Sequence, residues 1–222
     1  MNNSILSILT NFGCHFGCSY CVYRENGINI PKTDYCTFGW DELEEELKKH
    51  RGELVSISGG GDPLYDYANN KRFYENLFVL LEKYDCRLEL HTSIVDPCFD
   101  YSCCKRVVFH FTMPNQIKML ENLIIKGQNS LQLPINVRVV YVVQEHYSKH
   151  LINEIVSEVA SASWIINELS FRQMIGKDGE PKYYLHDYLK QGHQKDWYYI
   201  EQSDYNEYFV QDHIEKEYLN IK

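Results

Sequence analysis

Three cysteines, Cys14, Cys18 and Cys21, lie close together near the start of the chain. They are separated by three and by two residues, and glycines at positions 13 and 17 permit the tight turns that bring thiols together. A loop of this kind can wrap three thiolates around a metal centre. Iron–sulfur clusters are usually held by four Cys thiolates, so these three would leave one iron without a local protein ligand.

Zinc and unligated thiols are the alternatives to a cluster. A structural zinc site needs four ligands, and His15 is poorly placed because it lies between the first two cysteines. A distant fourth ligand such as Cys36 could complete a zinc site. The spacing alone favours a cluster and leaves zinc open.

A second segment with possible chemistry is the run Ser-Gly-Gly-Gly-Asp-Pro-Leu at residues 58–64, directly after an apolar stretch. Taken alone, a Gly-rich run after a strand is a phosphate loop or merely a tight turn. The run lacks the Gly-Lys-Ser/Thr ending of a P-loop, so its chemistry depends on what lies beside it.

Hydrophobic periodicity predicts strands that alternate with helices. The predicted strands are 5–9, 54–58, 87–92, 106–112, 137–143 and 164–171, and the predicted helices are 40–50, 71–84, 113–126 and 151–159. Gly127 is predicted to cap the third of these helices. Residues 96–105 contain Pro97 and are predicted to form no more than a helical turn.

Near-continuous apolar strands separated by helices predict a parallel sheet in an α/β fold. Six such units match a partial (βα)6 TIM-like barrel, and a flat doubly wound sheet fits the same alternation. In either fold functional residues lie at the carboxyl ends of strands, which places the cysteine loop and the Gly run on one rim. Residues 1–175 are the predicted core domain, and 176–222 are a Tyr-rich C-terminal extension that packs across the open side of the barrel.

The cysteine loop after the first strand resembles the signature of the radical S-adenosylmethionine (radical SAM) superfamily, in which three cysteines bind a 4Fe–4S cluster. An aromatic residue usually precedes the third cysteine in that family; Tyr20 holds this position, and the resemblance implies that it contacts the adenine of S-adenosylmethionine. Gly60-Gly61-Asp62-Pro63 is similar to the family's Gly-Gly-Glu-Pro segment, whose backbone binds the methionine amino group. Asp replaces the usual Glu and is one methylene shorter.

The resemblance implies a metal-binding oxidoreductase in which the cluster reductively cleaves S-adenosylmethionine. The resulting 5′-deoxyadenosyl radical then abstracts a hydrogen atom from a substrate held in the barrel. An electron donor such as flavodoxin or ferredoxin is the implied partner. Strand-end position makes Thr92, Ser93, Gln144 and Arg172 candidate cofactor or substrate contacts, with an ordinary turn or a surface ion pair as the alternatives. His110 is expected to be a core or barrel-lining residue.

The remaining cysteines do not resemble the family's auxiliary-cluster motifs, and the C-terminal extension contains none. We therefore expect a single-cluster enzyme that acts on a small molecule or a nucleoside. A glycyl-radical activating enzyme is the alternative, although Val22-Tyr23-Arg24 lacks the His-Asn continuation common in activases. A non-catalytic metal-binding module is the second alternative, and the Gly60–Pro63 match argues against it.

The composition restricts the class of protein and its expected location. The chain has 222 residues, 44% hydrophobic and 24% charged, with no stretch near the ~20 apolar residues that span a bilayer. A net charge of −9 argues against broad nucleic-acid binding, which needs many Lys and Arg. No basic segment followed by an apolar run opens the chain, so a cytoplasmic location is expected. There, eight cysteines are better explained by metal binding than by disulfides.

Overall fold

The computed structural model describes residues 6–126, 136–191, 197–201 and 206–221. The first six strands are β1 (Leu6–Thr10), β2 (Leu54–Gly59), β3 (Arg87–Thr92), β4 (Cys104–Phe111), β5 (Asn136–Val142) and β6 (Glu168–Arg172). The helices between them are α1 (Val22–Glu25), α2 (Trp40–Lys49), α3 (Tyr67–Lys83), α4 (Asn115–Lys126) and α5 (Lys149–Ser161). The predicted α/β alternation is therefore confirmed.

The C-terminal part contains shorter elements. They are β7 (Met174–Ile175), β8 (Pro181–Lys182), α6 (His186–Gln191), β9 (Tyr198–Ile200), β10 (Glu207–Val210) and β11 (His213–Glu215). The strands β7 and β8 form a small antiparallel hairpin around a 3₁₀ turn at Lys177–Gly179. A second 3₁₀ turn, Tyr101–Cys103, precedes β4. It agrees with the prediction of no more than a helical turn in residues 96–105.

Nine of the described strands form one sheet in the order β11-β10-β1-β2-β3-β4-β5-β6-β9. Every pairing from β10 to β9 is parallel, and only β10 and β11 pair antiparallel. The strands β1 to β6 lie side by side in chain order. A doubly wound sheet reverses its strand order at a switch point, so the doubly wound alternative is wrong.

The boundary of the sixth strand also differs from the prediction. The strand begins at Glu168 rather than at residue 164, because α5 continues to Ser161 and turns follow it. The amide groups of Ile165 and Ile166 donate to the carbonyl of Ala162 at 2.9 and 3.0 Å, which keeps this stretch out of the sheet. The predicted strand start at Ile5 and the Gly127 cap lie outside the described residues.

One face of the sheet packs against the helices and is apolar. Its side chains include Ile8, Ile57, Leu90, Phe109, Val139 and Phe171, all fully or almost fully buried in the main hydrophobic core. Because side chains alternate along a strand, the intervening residues lie on the opposite face. We call this the polar face and define it by Glu89, His91, Arg106, His110, Arg138, Glu168, Ser170 and Arg172.

The C-terminal part adds strands to both edges of the six-stranded array. The strand β9 pairs with β6, and β10 pairs with β1. Tyr218 packs between Tyr23, beside the cysteine loop, and Tyr208. Its ring centroid lies 5.4 Å from that of Tyr23 and 5.1 Å from that of Tyr208. Tyr205, another residue of the Tyr-rich segment, lies outside the described residues. None of the helices in the described ranges has both the length and the apolar character to cross a bilayer.

Candidate functional site

The cysteine loop and the Gly run meet at the carboxyl ends of β1 and β2. The amide nitrogen of Asp62 donates to the carbonyl of Gly13 at 2.9 Å. A Cβ placed on Gly61 would lie 2.3 Å from the same carbonyl oxygen, and one on Gly59 would lie 2.0 Å from the carbonyl oxygen of Thr10. These contacts require glycine, because neither backbone carbonyl can move aside cheaply. The two segments are therefore joined through their backbones.

The three cysteines lie together on this rim. Cys14 is exposed, Cys18 and Cys21 are partly exposed, and the amide of Phe16 donates to the Cys14 sulfur at 3.4 Å. Burial raises the pKa of the Cys14 thiol, and the nearby Asp62, Cys18 and Cys21 add to the increase. Within the described ranges, no three His, Cys, Asp or Glu side chains stand ready to hold a metal ion. Metal binding at this loop would thus need the thiols to converge further.

Asp62 connects the end of β2 to the end of β3. Its Oδ1 accepts from the Thr92 hydroxyl at 2.6 Å and from the Leu64 amide at 3.0 Å, and its Oδ2 accepts from the Ser93 amide at 2.6 Å. Burial raises the pKa of Asp62, while these hydrogen bonds act in the opposite direction. The Asp62 carboxylate thus accepts hydrogen bonds from protein groups, and these bonds hold the Gly turn against Thr92 and Ser93.

Gln144, which follows the end of β5, contacts the cysteine loop, and Tyr20 is part of that loop. The Ser19 hydroxyl donates to Oε1 of Gln144 at 3.1 Å, which places Gln144 against the stretch between the second and third cysteines. Burial raises the pKa of Tyr20, and the adjacent Cys18 raises it further. Burial likewise raises the pKa of Tyr147 to about 12, and this ring lies close to Tyr20. The structure thus brings Gln144 against the loop that contains Tyr20 and the three cysteines.

Arg172 lies apart from this group. It projects from β6 onto the polar face, where its charge influences His91 and His110 rather than the cysteine loop. His91 lies between two partners: its Nδ1 is 3.0 Å from Nε2 of His110, and its Nε2 is 2.7 Å from Oε1 of Glu89. His110 therefore lines this face, as expected, within a hydrogen-bonded chain.

The rest of the polar face is a buried ion-pair network that sequence reasoning missed. Arg106 pairs with Glu89, and Nη2 of Arg138 lies 2.7 Å from Oε2 of Glu168. Burial alone would raise the pKa of Glu89, but the hydrogen bond from His91 and the neighbouring positive charges outweigh it and lower the pKa to about 2. A usable signal existed in the sequence. Ionisable residues recur at every second position of strands that are otherwise apolar, as in Glu89 and His91.

Comparison with solved structures finds a similar fold in a protein with bound AdoMet. One similar structure is native anSMEcpe with bound AdoMet and Cp18Cys peptide, with a TM-score of 0.54 and 16% sequence identity. The match covers 76% of this chain and 50% of that one, so the chain spans about half the length of this neighbour. At this identity the likeness is one of fold. No protein-family model matches the chain, and no curated protein matches it either.

Proposed function

We propose that the protein is a single-cluster radical SAM enzyme. The observation that carries this proposal is the backbone contact between the two motifs, the 2.9 Å hydrogen bond from the Asp62 amide to the Gly13 carbonyl. A structural metal site has no need of a glycine turn held against it. The fold shared with a protein that binds AdoMet supports the same function.

The residues of the rim fit the implied cofactors. Cys14, Cys18 and Cys21 offer three thiols in one loop, the donor chemistry that iron–sulfur clusters use. Gly60 and Gly61 carry no side chain and are partly exposed beside that loop, and the amino group of S-adenosylmethionine would bind their backbone. When bound, the 4Fe–4S cluster would supply the electron that cleaves S-adenosylmethionine to methionine and a 5′-deoxyadenosyl radical.

The chain's own residues would hold the cofactor and keep it in place. Asp62 fixes the Gly turn against the end of β3, so the turn is ordered before the cofactor binds. Tyr20 lies beside Cys18, where its ring would contact the adenine, and Gln144 holds the loop through Ser19. Ser93, partly exposed at the end of β3, would offer a further polar contact.

A curled sheet that encloses the substrate is part of this proposal, and the chain connectivity supports it. The strands β9 and β10 lie seven strand positions apart in the sheet, about 33 Å if the sheet were flat. Only seven peptide steps join Ile200 to Glu207, and they reach about 25 Å when fully extended. This short connection supports a sheet whose two edges approach each other, as in the partial (βα)6 barrel that we propose.

Such a barrel would place the polar face inside it. The side chains there are largely withdrawn from bulk water, with Glu89 only 3% exposed and Ser170 fully buried. A radical reaction needs a compartment with few competing hydrogen donors, and a closed interior provides one. We place the substrate in this interior, and a small molecule or nucleoside is the class proposed.

Anaerobic reconstitution tests the proposal. The protein is loaded with iron and sulfide, reduced, and incubated with S-adenosylmethionine, and 5′-deoxyadenosine is measured by chromatography. Release of 5′-deoxyadenosine supports the enzyme. A colourless protein that retains stoichiometric zinc and releases none would contradict it. A glycyl-radical doublet in the EPR spectrum after mixing with a partner protein would assign the alternative, an activating enzyme.

A further inference from the structure

The polar face carries more positive than negative charge. Among the described residues that define it, Arg106, Arg138 and Arg172 are cationic, and Glu89 and Glu168 are the two carboxylates. Arg106 pairs with Glu89, and Arg138 pairs with Glu168 through contacts of 2.7 and 2.8 Å. Both carboxylates are therefore in ion pairs, and the third guanidinium of the polar face is not paired with either of them.

Arg172 is the guanidinium without a counter-charge. No carboxylate in the described ranges lies within ion-pair distance of it, and its buried Nε has no hydrogen-bond acceptor there. Burial lowers the pKa of Arg172 and the nearby charge of Arg138 lowers it further, and the charge of Glu89, which is outside ion-pair distance, offsets only part of this effect.

Ser170 adds a second donor without a hydrogen-bond partner on the same face of β6. It lies two positions before Arg172 on β6, so both side chains are on one face, about 7 Å apart along the strand. Ser170 is fully buried, and its Oγ has no hydrogen-bond partner among the described residues. A buried hydroxyl is normally hydrogen-bonded, so these two unpaired donors on one strand face point to a binding site for a hydrogen-bond acceptor.

The two histidines cannot balance the Arg172 charge, because an imidazole is either neutral or cationic. Burial lowers the pKa of His91, and burial, His91 and the Arg172 charge together lower that of His110 further, so both rings are neutral near pH 7. With Nε2–H of His91 donating to Glu89, its Nδ1 accepts from Nε2–H of His110. The ligand must therefore bring the anion itself.

We propose that Arg172 and Ser170 bind the anionic group, a carboxylate or a phosphate, of a small-molecule substrate inside the sheet. The guanidinium offers a planar pair of donors that matches either oxyanion, and the Ser170 hydroxyl adds a third. The assignment to a substrate rests on the proposed function, because the candidate cofactor contacts lie on the rim around Asp62, Tyr20 and Gln144.

The test measures anion binding by the full chain at constant ionic strength. Inorganic phosphate and sodium acetate are titrated separately, with chloride as the reference, and the rise in Tm gives an apparent Kd. The variants are Arg172→Gln, which removes the charge, and Ser170→Ala, which removes only the hydroxyl. Arg87→Gln is the matched control, because Arg87 is an exposed arginine on β3 that contacts the Gly52 carbonyl.

Arg172→Gln is expected to weaken binding of phosphate or acetate about 10- to 100-fold, and Ser170→Ala about threefold, while Arg87→Gln binds like the wild type. The anion that shifts the wild-type Tm more identifies the group as phosphate or carboxylate. Equal rises in Tm with phosphate or acetate in the wild type and in Arg172→Gln would overturn the proposed site. Should Arg172→Gln not fold, the threefold loss in Ser170→Ala decides in the same way.

Two further arms separate this site from the cofactor and from the proposed function. The affinity for S-adenosylmethionine is measured in the same variants. A loss in Arg172→Gln as large as the loss for the free anions would assign the anion to the cofactor's own carboxylate and overturn the substrate site. A wild type that binds anions through Arg172 but releases no 5′-deoxyadenosine would support the anion site and contradict the enzyme.

Discussion

The Thr92 hydroxyl donates a 2.6 Å hydrogen bond to Oδ1 of Asp62, and this bond joins the ends of two neighbouring strands. The Ser93 amide contacts the other carboxylate oxygen at 2.6 Å. An aspartate is long enough for this function, since its partners lie on the adjacent strand. An Asp at the position where the similar Gly-Gly-Glu-Pro motif has Glu is thus consistent with a side chain that orders the turn.

Removing this carboxylate should therefore affect stability as well as cofactor binding. Asp62→Ala leaves the Thr92 hydroxyl and the Ser93 and Leu64 amides without their acceptor, and we expect a loss of about 2–4 kcal/mol in the free energy of unfolding. Urea denaturation measures it. The exposed Asp41→Ala on α2 is the control and should cost no more than about 0.5 kcal/mol. Equal stabilities for the two variants would refute the ordering role of Asp62.

The glycine contact at the rim gives a second stability prediction. Gly61→Ala places a methyl group 2.3 Å from the Gly13 carbonyl oxygen, so the cysteine loop must shift. We expect a destabilisation of about 2–3 kcal/mol and weaker binding of S-adenosylmethionine. Gly17→Ala is the matched control, because nothing lies within 4 Å of a Cβ at that position of the same loop. If Gly61→Ala is as stable as Gly17→Ala, the two segments do not touch in solution.

Cluster assembly should depend on the cysteine loop alone. Cys18→Ala removes one of the three thiols, and after anaerobic reconstitution we expect it to hold little iron and to release no 5′-deoxyadenosine. Cys36→Ala is the control; Cys36 is exposed and belongs to another loop. Iron and sulfide analysis with the visible spectrum provides the measurement. Full iron in Cys18→Ala, or metal lost only in Cys36→Ala, would rule out the three-cysteine assignment.

The adenine contact assigned to Tyr20 can be tested through the cofactor's kinetics. Tyr20→Ala removes the ring beside Cys18 and should raise the apparent KM for S-adenosylmethionine about tenfold, whereas Tyr20→Phe keeps the ring and should stay near the wild type. The rate of 5′-deoxyadenosine release at varied S-adenosylmethionine gives the KM. An unchanged KM in Tyr20→Ala would remove the residue from the site.

Local patterns in the sequence predicted most of the core elements. The periodicity of α2 and α3, and the apolar runs of β2 and β3, arise from residues close in the chain, so they are readable without the fold. The cysteine loop and the Gly run were both identifiable because each is contiguous. Their contact through Gly13 and Asp62 follows from parallel strands whose carboxyl ends share an edge.

The polar face and the C-terminal strands depend on pairings between distant residues. Arg138 and Glu168 are 30 positions apart, and only the register of β5 on β6 shows that they meet. The strand β10 is four residues long and pairs with β1 at the other end of the chain. No local periodicity identifies so short a strand, and its Tyr208 gave no sign of which edge it joins.

The Glu89 carboxylate predicts how the stability of the protein changes at low pH. Its pKa in the folded protein is lowered to about 2 from an ordinary value of 4.5, chiefly because the hydrogen bond from His91 and the charges around it outweigh burial. A group with a lowered folded pKa stabilises the protein above the unfolded pKa and loses that contribution as the pH falls through the folded pKa. We therefore expect about 3 kcal/mol of stability to disappear between roughly pH 5 and pH 2.

Urea unfolding at pH 6, 4 and 3 measures this loss in the wild type and in Glu89→Gln. The variant is less stable at pH 6, because Arg106 and His91 lose their partner, and its stability should fall less steeply with acid. Glu75→Gln, an exposed change on α3, controls for removing one carboxylate and should follow the wild-type curve. The slope of the free energy of unfolding against pH reports the difference in bound protons between the folded and unfolded chains. Equal slopes for the wild type and Glu89→Gln would therefore show that the polar-face network does not hold Glu89 ionised.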